Sequence, residues 1–165
     1  MEIIVNRFIV DIDPRIIARS LCDQHIVKMP LEEAQMLCTT LWHHAPEFAK
    51  DCDLYKPVHQ KHPCTLWAMH NAGNYRYAYS LYCAMLDEYT YRYGKEHASW
   101  TKLGYLMAQV PQNIDIMPEF TPPTPAMPDE CKIGPTSLES YRHYYNTEKR
   151  HLANWKKRPV PIWYE

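Results

Sequence analysis

Four side chains suited to acid–base or amine chemistry recur along one stretch of the chain. On a helical wheel at about 100° per residue, a set of four polar residues falls within about 80°: His25, Lys28, Glu32 and Gln35. An imidazole, an amine and a carboxylate on one face are groups from which proton transfer and nucleophilic attack are built. The spacing therefore predicts Glu32, Lys28 and His25 as catalytic residues, with Gln35 beside them. The alternative is a structural ion-pair network.

The opposite side of the same stretch is apolar. Its members are Val27, Ala34, Leu37, Cys38 and Leu41, with Ile26 at the edge. This pattern predicts a helix that buries the apolar side and presents the polar side as a concave, partly solvated surface. The helix is expected to run from Asp23 toward His44. A kink or break is expected at 26–29, because Pro30 cannot donate a backbone hydrogen bond.

A second candidate region is basic. Between residues 141 and 160, six Lys and Arg residues stand against the single acid Glu148, which gives a local net charge of +5. In a chain whose formal net charge is −1, such a stretch is either a phosphate-contacting face or a solvated helix surface. The residues predicted to contact substrate, here and elsewhere, are Gln35, Tyr55, His59, His62, Arg142, Lys149, Arg158 and Trp163.

The histidines raise the alternative of a metal site, since His59 and His62 stand three residues apart. Such pairs recur by chance in a chain with nine histidines, so hydrogen-bonding roles are favoured, and no metal or cofactor is predicted. With only four glycines there is no glycine-rich loop to hold phosphates. Cys22 and His25 also stand three apart, but nothing indicates an activated thiolate.

Composition indicates one globular domain. The 165 residues are 46% hydrophobic and 22% charged, enough for a sizeable core, and 1–165 is predicted as a single domain. The first residues lack the apolar run of a signal peptide, and no stretch is long enough to span a membrane, so no membrane partner is predicted. Six cysteines without a Cys-x-x-Cys pair predict reduced thiols and a cytoplasmic location.

Local signals predict where the elements begin and end. Helix starts are expected at Asp13-Pro14, at Pro63 and at the capping box Thr136 to Glu139, and Gly94 is a natural helix end. The predicted helices cover about 14–21, 63–69, 72–93, 100–108 and 137–155 in addition to the stretch from Asp23.

The segments between the helices complete the predicted fold. Residues 3–12 are rich in β-branched side chains and are expected to form a short strand or an extended entry segment, whereas 45–61 are expected to form a loop. Prolines are dense in 111–135, which predicts a surface arm that is either ordered and extended or mobile. The fold class is accordingly mainly α: a compact single-domain helical bundle with a short N-terminal extended segment and a Pro-rich surface arm.

Several short motifs resemble those of the pyrimidine-dimer DNA glycosylase/AP lyase superfamily, the endonuclease V type of T-even phages, and a group of phage proteins. Asp23-Gln24-His25, with Glu32 seven residues after the histidine, is similar to the start of that family's catalytic helix. The string His62-Pro63-Cys64 and the tyrosine-rich stretch ending at Gly94 resemble two further segments. Arg158-Pro159 with Trp163-Tyr164 resembles the family's C-terminal motif.

The resemblance implies a DNA base N-glycosylase acting on damaged or modified pyrimidine nucleotides in DNA, with or without AP-lyase activity. In the family an N-terminal amine attacks the sugar C1′ to form a Schiff base and a helix glutamate assists. Glu32 aligns with that glutamate and His25 with the family's helix histidine. Glu2 is bulky, which predicts that Met1 is retained and carries the N-terminal amine. The expected nucleophile is this amine or, if burial lowers its pKa, the Lys28 amine.

Two alternatives stay open at this point. A non-catalytic protein on the same scaffold could bind a nucleotide or another protein. A hydrolase could instead use His59 and His62 to hold a metal ion. The predicted partner in the leading interpretation is DNA or a nucleotide substrate.

Overall fold

The computed structural model describes residues 6–165, and helices dominate this part of the chain. The seven α-helices are α1 (Pro14–Ser20), α2 (Asp23–His44), α3 (Pro46–Asp51), α4 (Pro63–His70), α5 (Ala72–Tyr93), α6 (Ala98–Leu103) and α7 (Ser137–Thr147). Short 3-10 turns cover Gly104–Ala108, Asp129–Cys131 and Arg150–Leu152. Between residues 6 and 165 there is no strand, so the mainly α fold is confirmed. The same residues contain no helix that is both long and apolar enough to cross a bilayer.

Local chemistry explains most helix ends. The Asp13 carboxylate accepts a hydrogen bond from the Arg15 backbone N–H at 2.8 Å, which caps the first turn of α1. Gly94 ends α5 with a φ of 67°, and its N–H donates to the Thr90 carbonyl. At α7, the Glu139 carboxylate accepts from the Thr136 backbone N–H, as the predicted capping box requires.

Two predicted boundaries and one predicted helix break are wrong. Residues 45–61 are not all loop, because Pro46 opens the short helix α3. The last helix stops at Thr147 instead of reaching Trp155, and a 3-10 turn follows. No break interrupts α2, since the helix continues through Pro30, and the alternative of a kink there stays a prediction. Of the predicted extended segment, residues 3–5 lie outside the described residues, and 6–12 are neither helix nor strand.

Helix α2 is also more central than its wheel predicts, so the expectation of one buried and one presented face is wrong. On the polar side His25 and Glu32 are only 4% and 3% exposed, whereas Val27 on the apolar side is 45% exposed. The reason is tertiary: the chain around Phe8 covers the polar side at His25, with Tyr145 of α7 behind it. Helix α2 thus runs through the core, and its exposed positions, Val27 and Lys28 among them, do not follow the two predicted faces.

The Pro-rich arm is held against the N-terminus of α5. The backbone N–H groups of Ala72 and Gly73 donate to the carbonyls of Asp115 and Met117 at 2.7 and 2.9 Å. A Cβ on Gly73 would lie 2.5 Å from the Pro118 carbonyl oxygen, so only glycine allows this approach. Of the two predicted alternatives for the arm, the structure has the ordered, extended one.

Candidate functional site

Glu32 is a buried carboxylate without a hydrogen-bond partner in the part of the chain that the structure describes. Among residues 6–165, neither of its side-chain oxygens has a hydrogen-bond partner. The nearest cation is Lys28, one turn earlier on α2, whose Nζ lies 3.7 Å from Oε1, beyond hydrogen-bonding distance. Buried polar groups are nearly always hydrogen-bonded, and a catalytic role is one of the explanations for an exception.

Burial dominates the electrostatics of Glu32. Desolvation raises the pKa of the Glu32 carboxyl from its ordinary 4.5 to about 7, because burial removes water from the charged form and the groups nearby only partly replace it. The Lys28 ammonium and the Asn6 backbone N–H lower the pKa, and the neighbouring Glu33 carboxylate raises it, but these effects are smaller. At neutral pH the group is divided between its protonated and ionised forms, so it can both give and accept a proton.

Glu33, the next residue, is buried as deeply but fully paired. Arg7 donates to both of its oxygens, from Nε at 2.8 Å and from Nη2 at 2.6 Å. The remaining Arg7 nitrogen donates to the Cys64 carbonyl at 2.8 Å, and the guanidinium lies over the Trp67 ring. This bidentate pair fixes the chain at Arg7 beside α2.

His25 is buried as a neutral imidazole. Desolvation, followed by the charges of Lys149, Lys28 and His151, lowers the pKa of His25 from 6.5 to about 3. Its ring stacks on Phe8 with centroids 4.1 Å apart, and Nδ1 is 2.5 Å from the Tyr145 hydroxyl.

The tautomer of His25 follows from its partner. The Tyr145 hydroxyl accepts from the Cys22 backbone N–H at 3.2 Å, and its one proton has two acceptors within reach, His25 Nδ1 at 2.5 Å and Cys22 Sγ at 3.6 Å. The imidazole nitrogen is nearer and is the stronger acceptor, so the proton is assigned to the bond with His25 Nδ1. Nδ1 is then an acceptor, and the proton of the neutral ring belongs on Nε2. His25 therefore presents an uncharged N–H donor.

A solvent-facing cavity of about 190 Å³ brings three of the predicted residues together. Its lining residues are Phe8, Gln24, His25, Lys28, Met29, Lys149, His151 and Leu152. Among residues 6–165 the charged side chains in this lining are cationic and include no carboxylate, which favours an anionic ligand group. Lys28 both lines this cavity and approaches Glu32, so it connects the two parts of the site.

The lysine nucleophile expected from the sequence requires burial, and the Lys28 side chain is 46% exposed. Burial therefore does not prepare this amine for attack, and the role left to Lys28 is electrostatic. The other expected nucleophile, the N-terminal amine at Met1, lies outside the described residues.

The remaining predicted contacts to substrate are distributed over other parts of the fold. Gln35 is half-buried on α2 and is not part of the cavity lining. Tyr55 packs against the cluster around Leu37 and Leu41, with Lys102 over its ring. His62 caps α4 by accepting from the Cys64 N–H at 3.1 Å.

His59 and His62 also bear on the metal-hydrolase alternative. His59 is half-buried, with a φ of 53°. Within residues 6–165, no group of three or more His, Cys, Asp or Glu side chains is placed to hold a metal ion. The alternative based on these two histidines therefore lacks a ligand set in this part of the chain.

Three of the residues predicted to contact substrate already have protein partners. Arg142 donates to the Val10 carbonyl at 2.9 Å and lies over the Trp163 ring. Trp163 packs edge-on against Tyr145. Arg158 forms a bidentate ion pair with Glu88, at 2.8 and 3.0 Å. Their expected contacts with substrate stay predictions, but these partners compete for the same groups.

Sequence reasoning missed the groups that shape the site. Tyr145, Phe8 and His151 surround His25, and Arg7 holds the chain beside Glu32. Only Tyr145 had a local signal, since it follows Tyr141 at helical spacing on α7. The pairing of Arg7 with Glu33 spans 26 residues and has no local signature.

Comparisons of this chain with protein-family models, with curated proteins and with solved structures find no match. The site is therefore interpreted from its own residues and geometry.

Proposed function

We propose that this protein is a DNA base N-glycosylase that hydrolyses the glycosidic bond of damaged or modified pyrimidine nucleotides. The observation that carries the proposal is Glu32: a buried carboxyl with a pKa of about 7 and both oxygens unpartnered among residues 6–165. A carboxyl in this state is suited to proton transfer at neutral pH. A purely structural carboxyl at this depth would be expected to look like Glu33, with its oxygens bonded.

The proposed reaction uses Glu32 as a general base. A water molecule forms a bond to the sugar C1′ while the bond from C1′ to the base nitrogen breaks. The proton of the attacking water passes to the Glu32 carboxylate, and the bonding electrons leave with the base. Glu32 then returns the proton, directly or through water, to the departing base, so one water is consumed and the enzyme is regenerated.

The basic cavity would hold the phosphate next to the reacting nucleotide. Lys28 and Lys149 would supply positive charge, and the neutral His25 would donate its Nε2 proton to a phosphate or sugar oxygen. Because Lys28 lies 3.7 Å from Glu32, a phosphate held there would place the nucleotide sugar beside the carboxyl. Lys28 would also stabilise the ionised form of Glu32 that accepts the proton.

The test is single-turnover base release from duplexes with a panel of damaged and modified pyrimidines. Glu32→Gln keeps the size of the side chain but removes its basicity, so we expect release to slow at least about 100-fold with little change in duplex binding. Glu130→Gln, a matched change on the exposed part of the arm, should leave the rate unchanged.

Two results would contradict the proposal. Wild-type protein that binds the duplexes but releases no base from any of them would favour a non-catalytic binding protein. Equal rates for wild-type and Glu32→Gln would remove Glu32 from the chemistry. Borohydride trapping on abasic duplex tests the lyase form separately, because only an amine that forms a Schiff base with the sugar is trapped.

A further inference from the structure

Arg92 is the centre of a buried ion network that joins distant parts of the chain. Its Nη1 donates to the Asp23 carboxylate at 2.9 Å and its Nε donates to Glu88 at 3.0 Å. The other Glu88 contacts come from Arg158, whose Nε and Nη2 donate at 2.8 and 3.0 Å. Two cations and two carboxylates thus balance, with Asp23 at the start of α2, Glu88 and Arg92 on α5, and Arg158 near the end of the chain.

The same network fastens the C-terminal segment, residues 149–158, to the body of the protein. The Asp23 carboxylate accepts from the Lys156 backbone N–H, and the Asp23 N–H donates to the Asn154 carbonyl, both at 2.8 Å. The Trp155 indole donates to the Ser20 carbonyl at 2.8 Å. Arg158 then lies over the Tyr91 ring, with its guanidinium carbon 4.0 Å from the centroid.

This fastening determines the cavity, because the C-terminal segment forms one wall of it. Lys149 and His151 line the cavity from this segment, and His25 and Lys28 line it from α2. Asp23 binds the C-terminal segment and is two residues before His25, so one residue connects both walls. A shift of the segment would move Lys149 and His151 away from the side chains that line the cavity from α2.

We infer that Arg158 is a positioning residue: through Glu88 it holds the C-terminal segment so that Lys149 and His151 face His25 and Lys28. This inference rests on the proposed function of the cavity as a phosphate-binding site. Arg158 is absent from the cavity lining, and its charge is matched by Glu88. Arg158 belongs to the basic stretch, but its partner in the structure is a carboxylate 70 positions earlier in the chain and not a ligand.

The first experiment measures binding of inorganic tripolyphosphate by NMR titration to wild-type protein and two variants. Arg158→Gln breaks the bidentate pair. Lys157→Gln removes the same charge from the adjacent residue, which contacts only the Tyr91 carbonyl and ring among the interactions described. We expect about tenfold weaker binding for R158Q and less than about twofold for K157Q, since exposed charges contribute little. Equal losses, or no binding by wild-type protein, would overturn the inference.

The second experiment separates positioning from direct contact by a double-mutant cycle. If Arg158 acts through Lys149 and His151, R158Q should weaken binding less than about threefold when Lys149→Gln is already present. Multiplying losses would mean that Arg158 contacts the ligand itself, which contradicts the inference. Arg158→Lys keeps the charge but not the bidentate geometry, so we expect affinity between R158Q and wild type. Full recovery in R158K would contradict the inference, because the bidentate geometry would then not be needed to position the segment.

Hydrogen exchange completes the test. Amides in 150–158 should exchange faster in R158Q than in K157Q, while amides in α4 and the first half of α5 stay protected. Unchanged exchange in 150–158 would overturn the inference. None of these measurements depends on base release, so a failed glycosylase assay and a failed positioning role are distinguishable.

Discussion

Glu32 and Glu33 are adjacent on the same helix and almost equally buried, yet their surroundings are opposite. Glu33 accepts two charge-assisted hydrogen bonds from Arg7, at 2.6 and 2.8 Å. Glu32 has no hydrogen-bond partner among the residues described, and its nearest cation is 3.7 Å away. At similar depth, the same helix thus carries one carboxyl that is fully hydrogen-bonded and one without a hydrogen-bond partner among the residues described.

The difference indicates how the fold assigns structure and chemistry to neighbouring residues. The Arg7 pair offsets the desolvation of Glu33, so this carboxylate can hold the chain around Asn6 and Arg7 in place. Glu32 is left with a raised pKa at the side where the chain around Asn6 approaches. Glu33 contributes to stability, and on our proposal Glu32 transfers the proton.

The largest loss of stability is expected when Glu33 loses its partner. Arg7→Gln leaves a carboxylate buried without its cation, so we expect the free energy of unfolding to fall by about 3–5 kcal/mol. Urea denaturation measures the change. Arg15→Gln is the control, because its pair with Asp13 is 3.6 Å long and largely exposed, and it should cost less than about 0.5 kcal/mol. Similar losses in both variants would mean that the Arg7 pair does not stabilise the fold.

The second prediction concerns Glu32 and pH. The folded pKa of about 7 exceeds the ordinary 4.5, so the native state retains a proton that the unfolded chain releases between those values. The contribution of Glu32 to stability is therefore fully present below about pH 4.5 and is lost as the pH rises to about 7, a change on the order of 3 kcal/mol.

Glu32→Gln removes this titration. Relative to wild type, we expect the variant to gain stability between about pH 4.5 and about pH 7 and to keep a constant difference above that range, measured as the difference in unfolding free energy by urea denaturation. The expected sign is opposite to that of Arg7→Gln. A variant that is markedly less stable at pH 8 would mean that Glu32 belongs to a structural ion-pair network, which is the alternative to a catalytic role that the sequence leaves open.

The smallest expected effect is that of Lys28. Lys28→Met removes the ammonium that lowers the pKa of Glu32, so the pKa should rise above its present value of about 7, followed by carbon-13 NMR of the Glu32 carboxyl. Stability should change by less than about 1 kcal/mol, because the lysine is half-exposed. Lys50→Met on the exposed side of α3 should leave the titration in place. A lower pKa in Lys28→Met would contradict the electrostatic role of Lys28.

Much of the helical framework was predictable because its signals are local. Asp13-Pro14, Pro63 and Gly94 mark helix ends through their own backbone chemistry, and the structure has helix ends at each of them. Boundaries failed where tertiary contacts override a local pattern. Beyond Thr147 the basic stretch leaves the helix, and its backbone and side chains bond to Asp23 and Glu88 instead.

The amino-acid sequence by itself determined a mainly helical chain with Glu32, Lys28 and His25 on one side of α2, because helical periodicity depends only on neighbouring residues. Only the tertiary structure decided what covers that side. Residues more than twenty positions away in the chain pair Glu33, bind His25 and fasten the basic C-terminal segment. Burial and pairing depend on these distant contacts, so the contrast between Glu32 and Glu33, identical in type, appears only after folding.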